Sequence, residues 1–181
     1  MPNLDTPNWQ PTLHGEHLAL TPLGEADFEA LYAVARDPLL WEQHPEPTRY
    51  QRPVFERFFA AALASGGALC VREAASGTVI GSSRFYLWNP DARTVVIGYT
   101  FLARSHWGGA TNRELKNLML AHAFRWASVV DFHVGPNNLR SQRALERIGA
   151  RLQERRELVA GDPATTRVVY RISRTEFEAW R

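Results

Sequence analysis

The stretch from 104 to 117, RSHWGGATNRELKN, constrains the fold of this chain more than any other. It follows TVVIGYTFLA (94–103), which is apolar enough for a buried strand, and it precedes LMLAHAFRWA (118–127), which has helical spacing. A second short apolar segment, VVDFHV (129–134), comes directly after that helix. A strand, a glycine turn, a helix and a strand in this order predict a βαβ crossover with two parallel strands.

The rest of the chain predicts helices early, an antiparallel meander in the middle and two strands near the end. Helical spacing indicates helices at 24–37 and 54–67, one starting near 112, and one at 137–149. The predicted fold class is therefore α+β, a mixed and mostly antiparallel sheet of about seven strands with flanking helices. The seven strands are expected at 17–23, 68–74, 78–88, 93–103, 129–134, 151–159 and 166–173.

Length and composition exclude several classes of protein. A chain of 181 residues with 45% apolar side chains is expected to form one domain over 1–181, with 1–12 as a loose N-terminal segment. No apolar run approaches the roughly 20 residues of a membrane span, and the N-terminus has no export signal. A single cysteine, Cys70, allows no internal disulfide, and we expect a cytoplasmic protein that does not bind membranes.

Charge is distributed unevenly along the chain. Residues 103–157 carry 10 basic and 5 acidic side chains, whereas residues 1–102 carry 7 basic and 11 acidic ones. This excess is modest, and no aromatic residues alternate with the basic ones, so the pattern disfavours a nucleic-acid partner. A small polyanionic ligand fits the charge at least as well.

The glycine turn itself has two interpretations. Gly108, Gly109 and Ala110 leave little side chain in front of the first helical amides, and Thr111 or Asn112 is a good N-cap. Such a helix start can hold a phosphate, or it can be a tight corner without a ligand. The motifs of nucleotide P-loops and of dinucleotide-binding folds are both absent.

A second motif adds a family resemblance. VGPNNLRSQRALERIGA (134–150) opens the next helix with Asn138 and Ser141, three residues apart. Together with SHWGGA (105–110), this segment resembles the GNAT superfamily of acyl-CoA-dependent N-acyltransferases. The string YTFLARSHWGGATNRELKNLMLAHAF resembles the branch related to ribosomal-protein N-terminal (alanine) acetyltransferases. The resemblance extends over about 12–174.

The resemblance implies acetyl-CoA as the cofactor, no metal, and direct acetyl transfer to a protein N-terminal or small-molecule amine through a tetrahedral intermediate. It also implies that two copies can pair through strand edges. The strand before the loop would pair with the pantetheine arm, with an amide near Phe101 or Leu102 as oxyanion donor. The implied cofactor-binding residues are Phe101, Leu102, Ala103, Trp107, Gly108, Gly109, Ala110, Thr111, Asn112, Asn138, Ser141 and Arg143.

Asn138 and Ser141 could also do no more than cap the last helix. Two positions depart from the family pattern. Ser105 stands where the loop usually begins with Arg or Gln, and Leu145 stands where many members carry a tyrosine general acid. We expect Lys116 on the outer face of its helix, near the loop. These departures leave open an alternative function, a non-catalytic acyl-CoA-binding or regulatory domain.

The sequence offers few candidates for a general base. The reaction needs no covalent enzyme intermediate, and an α-amine acceptor needs only a weak base. Glu42 and His44 lie in a proline-rich segment, 38–53, that covers the acceptor site in related folds. Arg84 and Tyr86 share the middle strand with Ser83 and could line the same groove, whereas His133 is interpreted as structural. The residues assigned to catalysis are Glu42, His44, Ser83, Tyr99 and Ser141.

Overall fold

The computed structural model describes residues 6–159 and 165–181 and contains one eight-stranded mixed sheet. All neighbouring strands are antiparallel except β5 and β6, which lie parallel as the βαβ crossover predicts. The sheet order is β1-β2-β3-β4-β5-β6-β8-β7. The strands are β1 (Leu13–His14), β2 (Leu18–Pro22), β3 (Ala68–Glu73), β4 (Val79–Asn89), β5 (Thr94–Leu102), β6 (Val129–Val134), β7 (Arg151–Glu157) and β8 (Thr166–Ser173).

Five α-helices cover the two faces of the sheet. We call the side under α1 and α2 the groove face and the opposite side the α3 face. The helices are α1 (Phe28–Ala35), α2 (Arg52–Ala64), α3 (Ala110–Ala123), α4 (Leu139–Arg147) and α5 (Arg174–Trp180).

The sheet has one strand more than the seven expected, and the chain one helix more than the four expected. The additional strand, β1, is only two residues long, too short to leave a periodic pattern. The additional helix, α5, begins with a capping box in which Ser173 and Glu176 exchange hydrogen bonds. That signal, Ser-x-x-Glu, is present in the sequence, but it follows directly on β8 without a break.

The core is divided by the sheet into two apolar clusters. On the α3 face, Leu115 and Met119 of α3 pack fully buried against the strands. On the groove face, Phe55 and Phe59 of α2 pack with Phe101 of β5. Each helix thus buries its apolar face in the cluster on its own side of the sheet, as amphipathic helices packed on a sheet require.

The N-terminal segment is packed where the structure describes it. The Trp9 ring lies 5.2 Å from Phe85 and 5.3 Å from Trp88 between ring centroids. His122 of α3 hydrogen-bonds with the Asn8 carbonyl at 2.7 Å. Residues 6–12 therefore close the open end of the α3 face, in contrast to the loose segment expected for 1–12.

Candidate functional site

The turn between β5 and α3 presents free backbone amides. A 3-10 turn at Arg104–His106 leads to Trp107 and then to Gly108, whose φ is +72°. Gly109 is the N-cap of α3, and no side chain caps the helix. The expected N-cap at Thr111 or Asn112 is therefore wrong, because the helix begins at Ala110. The N–H groups of the first helical turn have no partner within the helix, and no capping side chain accepts a hydrogen bond from them.

The two glycines leave open space in front of these amides. A Cβ built on Gly108 or Gly109 would meet no atom within 4 Å. Gly108 needs glycine for its positive φ, but Gly109 has a φ of −105°, which any residue adopts. Packing within the protein therefore gives no reason for the second glycine. Space for the oxygens of an anion at a helix N-terminus gives one.

Trp107 fixes this turn to the neighbouring elements. Its indole N–H donates to the Leu102 carbonyl at 3.0 Å, and the Arg140 guanidinium lies 3.8 Å from the centre of its ring. Arg140 also donates to the Leu40 carbonyl at 3.0 Å, which ties the start of α4 to the segment 38–53. Sequence analysis did not single out Arg140. Its place in the first turn of α4, two residues after Asn138, was the available signal.

The parallel strands β5 and β6 separate next to the turn. They pair only from Thr94 opposite Val129 to Val96 opposite Asp131. From Ile97 onward, β5 no longer pairs with β6, so this edge of β5 is open. β6 itself continues to pair with β8 as far as Val134. An open strand edge of this kind can take an extended chain as an added strand. It runs directly into the uncapped start of α3.

The amide of Ala103 is used within the sheet, whereas that of Leu102 points to the open edge. The Ala103 N–H donates to the Ile80 carbonyl of the β4 side at 2.7 Å. N–H groups alternate in direction along a strand, so the Leu102 N–H faces away from β4. Of the three strand residues expected to bind the cofactor, Leu102 has its N–H directed to the open edge while its carbonyl accepts from Trp107, Phe101 is buried in the groove-face cluster, and Ala103 has its amide occupied.

A β-bulge at Tyr99 interrupts β5. Ser82 of β4 pairs with Phe101 and Arg84 with Gly98, so β5 carries one residue more than β4 over this stretch. Tyr99 has a φ of +52°, which is uncommon for a residue other than glycine. Tyr99 is 44% exposed and lies on the groove face, where its ring is centred 6.1 Å from that of Phe58.

Tyr86 reaches across β5 because Gly98 has no side chain. A Cβ on Gly98 would lie 3.0 Å from the Tyr86 hydroxyl and from the edge of its ring. The Tyr86 ring is centred 5.1 Å from Tyr99 and 6.0 Å from His133 of β6. Burial raises the pKa of Tyr86, with a further contribution from Tyr99, so its hydroxyl stays protonated. Tyr86 and His133 thus make an edge-to-face ring contact where β5 and β6 separate.

Ser83 does not line the groove. It is fully buried, and its hydroxyl lies 2.7 Å from the Thr100 hydroxyl on the α3 face. Side chains alternate along β4, so Arg84 and Tyr86 point to the groove and Ser83 cannot. The assignment of Ser83 to catalysis is therefore wrong, because the strand turns it away from the acceptor side.

Lys116 is buried rather than exposed beside the loop. Only 5% of its surface is accessible, and its ammonium donates to the Thr100 hydroxyl at 2.8 Å. The same ammonium lies 5.4 Å from the centre of the Phe132 ring of β6. Burial lowers the pKa of Lys116 to about 7. Lys116 therefore cannot contact a phosphate on the outer face of the helix.

His44 and Glu42 lie at a cleft between three segments of the chain. The His44 Nδ1 accepts from the Glu46 N–H at 3.0 Å, and its Nε2 lies 3.2 Å from a terminal nitrogen of Arg49. Burial and the neighbouring Arg49 lower the pKa of His44 to about 3, which argues against a role as base. Glu42 is exposed at the mouth. The cleft is lined by Glu42, Gln43, His44, Pro45, Gly135, Pro136, Asn137, Thr166 and Arg167.

The start of α4 has the capping geometry that was one of its two interpretations. The Asn138 side chain accepts from the Ser141 N–H at 3.2 Å and so caps the helix. Ser141 is half-buried and Arg143 exposed. Leu145 is buried in the core of the α3 face, so no hydroxyl replaces the missing tyrosine at that position.

In the ranges 6–159 and 165–181, no group of three or more His, Cys, Asp and Glu side chains could hold a metal ion. None of the helices described there has the length and hydropathy needed to cross a membrane. The turn at 160–166 lies mostly outside the described residues.

Comparison with known proteins agrees with this geometry. A family model described as acetyltransferase (GNAT) domain matches residues 17–151. No curated protein matches the chain.

Solved structures with the same fold are numerous. An acetyltransferase from Agrobacterium tumefaciens is 27% identical, with 91% of this chain and 95% of that chain covered and a TM-score of 0.70. A GCN5-related N-acetyltransferase from Brucella melitensis is 19% identical, with 94% of this chain and 82% of that chain covered and a TM-score of 0.82. Mycobacterium smegmatis RimJ, solved in complex with CoA-disulfide, is 17% identical, with 94% of this chain and 90% of that chain covered and a TM-score of 0.72.

Proposed function

The chain belongs to the GNAT family of acetyltransferases, and we propose that it transfers an acetyl group from acetyl-CoA to a primary amine. The acceptor is the α-amine of a protein N-terminus or the amine of a small molecule. One juxtaposition carries the proposal: the uncapped start of α3 at Gly109 adjoins the open edge of β5. Few arrangements offer phosphate-binding amides and a strand edge for an amide-containing chain in one continuous surface.

The residues present fit the cofactor. The amides of Gly109, Ala110 and Thr111 would hold the pyrophosphate, since the space in front of them is open. The open edge of β5, including the Leu102 N–H, would pair with the pantetheine arm. Acetyl-CoA supplies the acetyl group as an activated thioester. Asn138 and Ser141 lie at the start of α4, beside the opening between β5 and β6, where they can support the arm.

The acceptor amine would approach from the groove face. Tyr86, Tyr99 and His133 surround the place where β5 and β6 separate, and the Tyr86 hydroxyl can donate a hydrogen bond there. Direct transfer requires the amine to be neutral. An α-amine has a pKa near 7.7–8.0, so a useful fraction is neutral at neutral pH without a strong base. Proton removal by water, and not by His44, is then sufficient.

A non-catalytic acyl-CoA-binding domain is the second candidate. It is favoured by one observation, the buried Leu145 at the position of the family's tyrosine acid. A thiol of CoA can leave as the thiolate, so we expect turnover to be slowed and not lost. Release of free CoA in the presence of an amine distinguishes the two candidates.

We also propose a cytoplasmic location and a homodimer. The sole cysteine, Cys70, is a buried free thiol, which suits a reducing compartment. All seven residues of the edge strand β7 are exposed, so this edge can meet that of a second copy. Light scattering of the purified protein tests the dimer directly.

The function is tested by calorimetric titration with acetyl-CoA and desulfo-CoA, with ATP as the control ligand. We expect both CoA compounds to bind and ATP not to bind. Gly109→Glu should abolish binding without changing the melting temperature, since its side chain has room and its φ is ordinary. Gly109→Ala should fold equally well and weaken binding less. Absence of CoA binding by the folded wild type would refute the proposal.

A further inference from the structure

The groove face contains two arginines whose guanidinium groups pack against aromatic rings and form no salt bridge with a described carboxylate. Arg84 of β4 retains 6% of its accessible surface, and Arg49 lies in the segment between α1 and α2. The Arg84 guanidinium carbon is 4.2 Å from the centre of the Tyr99 ring and 5.6 Å from that of Phe58. The Arg49 guanidinium lies 4.4 Å from the Phe58 centre and 5.0 Å from that of Trp41. Phe58 therefore connects the two.

Neither arginine has a salt bridge within the part of the chain that the structure describes. The side chain of Arg84 donates no hydrogen bond to any described residue, and its Nε is enclosed without a partner. The Nε of Arg49 is enclosed and unpartnered as well, and its one hydrogen-bond contact is with neutral His44. The acidic group that acts on Arg49 is Glu46, whose carboxylate is bound by Thr48.

A buried guanidinium without a carboxylate is costly. Stacking on aromatic rings offsets part of the loss of hydration, but it leaves the N–H donors in the plane of the group unsatisfied. Burial lowers the pKa of Arg84 and that of Arg49, the latter to about 10, as expected for two desolvated cations near each other. The rings hold each guanidinium on the groove face, and both terminal nitrogens of Arg84 and one of Arg49 have no hydrogen-bond partner among the described residues, so they can donate to a carboxylate.

The cleft described above adjoins Arg49 through His44. His44 lines the cleft, and Arg49 lies directly behind its ring. Beyond Phe58, Arg84 lies beneath Tyr99 at the β5 bulge, where the acceptor amine would meet the thioester. An acceptor that reaches the open edge of β5 at the bulge would therefore lie close to Arg84, with Arg49 on the other side of the Phe58 ring.

We propose that Arg49 and Arg84 bind a carboxylate of the acceptor, so that the substrate is a primary amine with a carboxylate in the same molecule. The inference rests on the proposed function and specifies its substrate class. A small amino acid and an N-terminus followed by an acidic residue share this chemistry. The same two cations repel an ammonium group, so they favour the neutral amine that transfer requires.

The test compares acceptors that differ only in the carboxylate. One pair is β-alanine and β-alaninamide; the other is the peptide amides Ser-Glu-Ala and Ser-Gln-Ala. We expect kcat/KM to be about tenfold or more higher for the carboxylate member of at least one pair, in line with a charged hydrogen bond. A preference within the β-alanine pair identifies a small amino acid as the acceptor, and a preference within the peptide pair identifies a protein N-terminus.

Three variants make the test specific. Arg84→Met and Arg49→Met keep a long apolar chain between the rings, and each should reduce the preference to about onefold while acetyl-CoA binding is kept. Arg125→Met removes an exposed arginine near Trp126 and should leave the preference unchanged. Arg84→Met should also melt no lower than the wild type, because it removes an uncompensated charge; if it fails to fold, Arg49→Met decides.

The outcomes are distinct. Equal kcat/KM for both members of both pairs, with turnover, would overturn this inference and leave the proposed function intact. A preference that survives both methionine variants would also overturn it. Acetyl-CoA binding without turnover of any acceptor would overturn the proposed transfer and this inference together.

Discussion

The Lys116 ammonium of α3 donates a 2.8 Å hydrogen bond to the Thr100 hydroxyl of β5, and no described carboxylate pairs with it. Thr100 is held in turn by Ser83 at 2.7 Å. A polar chain of three residues therefore crosses the apolar cluster of the α3 face. It ends in a buried cation beside the opening between β5 and β6.

Lys116→Met should stabilise the protein, and most strongly at low pH. The folded-state pKa of Lys116 is about 7 against an ordinary 10.5, so the folded protein holds this proton less readily than the unfolded chain. The cost is complete below about pH 7 and disappears as the pH rises toward 10.5. Thr100 keeps Ser83 as its partner in the variant. Urea unfolding at pH 6, 8 and 9.5 should show a gain on the order of 3 to 5 kcal/mol that shrinks with increasing pH.

Leu118→Met, in a less buried position of the same helix, is the control for a methionine in α3. It should change stability little at any pH. A difference between Lys116→Met and wild type that stays constant from pH 6 to 9.5 would contradict the assignment of a buried, titrating lysine.

His44→Gln should retain the pH profile of acetyl transfer. His44 has a pKa near 3, so its protonation does not change in the range from pH 6 to 9 where an α-amine titrates. We expect kcat/KM of wild type and variant to rise in parallel with pH. A rising limb that is lost in His44→Gln would show that His44 is the base after all.

The same variant should resist acid better than the wild type. The unfolded chain binds a proton at His44 near pH 6.5, and the folded protein does so only near pH 3. Stability associated with His44 is therefore present above pH 6.5 and is lost as the pH falls through this window. Denaturation at pH 7 and pH 4.5 should show a smaller loss for His44→Gln than for wild type.

Gly98→Ala should reduce activity without removing any functional group. Its methyl group would lie 3.0 Å from the Tyr86 ring and hydroxyl, so Tyr86 must move away from His133. We expect kcat to fall by about tenfold or more, because small displacements at a reacting centre are costly, while acetyl-CoA affinity is retained. Gly24→Ala, where the methyl group meets only Asp27 at 3.8 Å, is the matched control. Unchanged kcat in Gly98→Ala would remove Tyr86 from the site.

The sheet and its crossover could be predicted because their signals are local. Alternating apolar residues and turn residues marked all strands but the two-residue β1, and the glycine turn marked the parallel pair. The helix start at Gly109 was misplaced by two to three residues, since Thr111 and Asn112 are better N-caps than glycine. A ligand site can override such a preference, because a capping side chain would occupy the anion's place.

The groove could not be predicted in the same way, since it depends on which side chains face each other across strands. Ser83 and Arg84 are neighbours in sequence but lie on opposite faces of β4. Lys116 was expected at the surface because a lone lysine is rarely buried without a partner. The reach of Tyr86 over Gly98 joins residues of adjacent strands, and no spacing within one strand reveals it.

The Tyr99 bulge reverses the inside and the outside of a single strand. Before it, Val95 and Ile97 point to the α3 face; after it, Phe101 points to the opposite side and Leu102 returns to the α3 face. Strict alternation would have placed Phe101 with Val95. Deleting Tyr99 would remove the bulge and leave Phe101 and Leu102 on their present faces, whereas taking Tyr99 into a regular strand would give Phe101 to the wrong core and the Leu102 amide to β4. One inserted residue thus changes the parity of the strand, and because of it the neighbouring residues Phe101 and Leu102 belong to two separate apolar clusters.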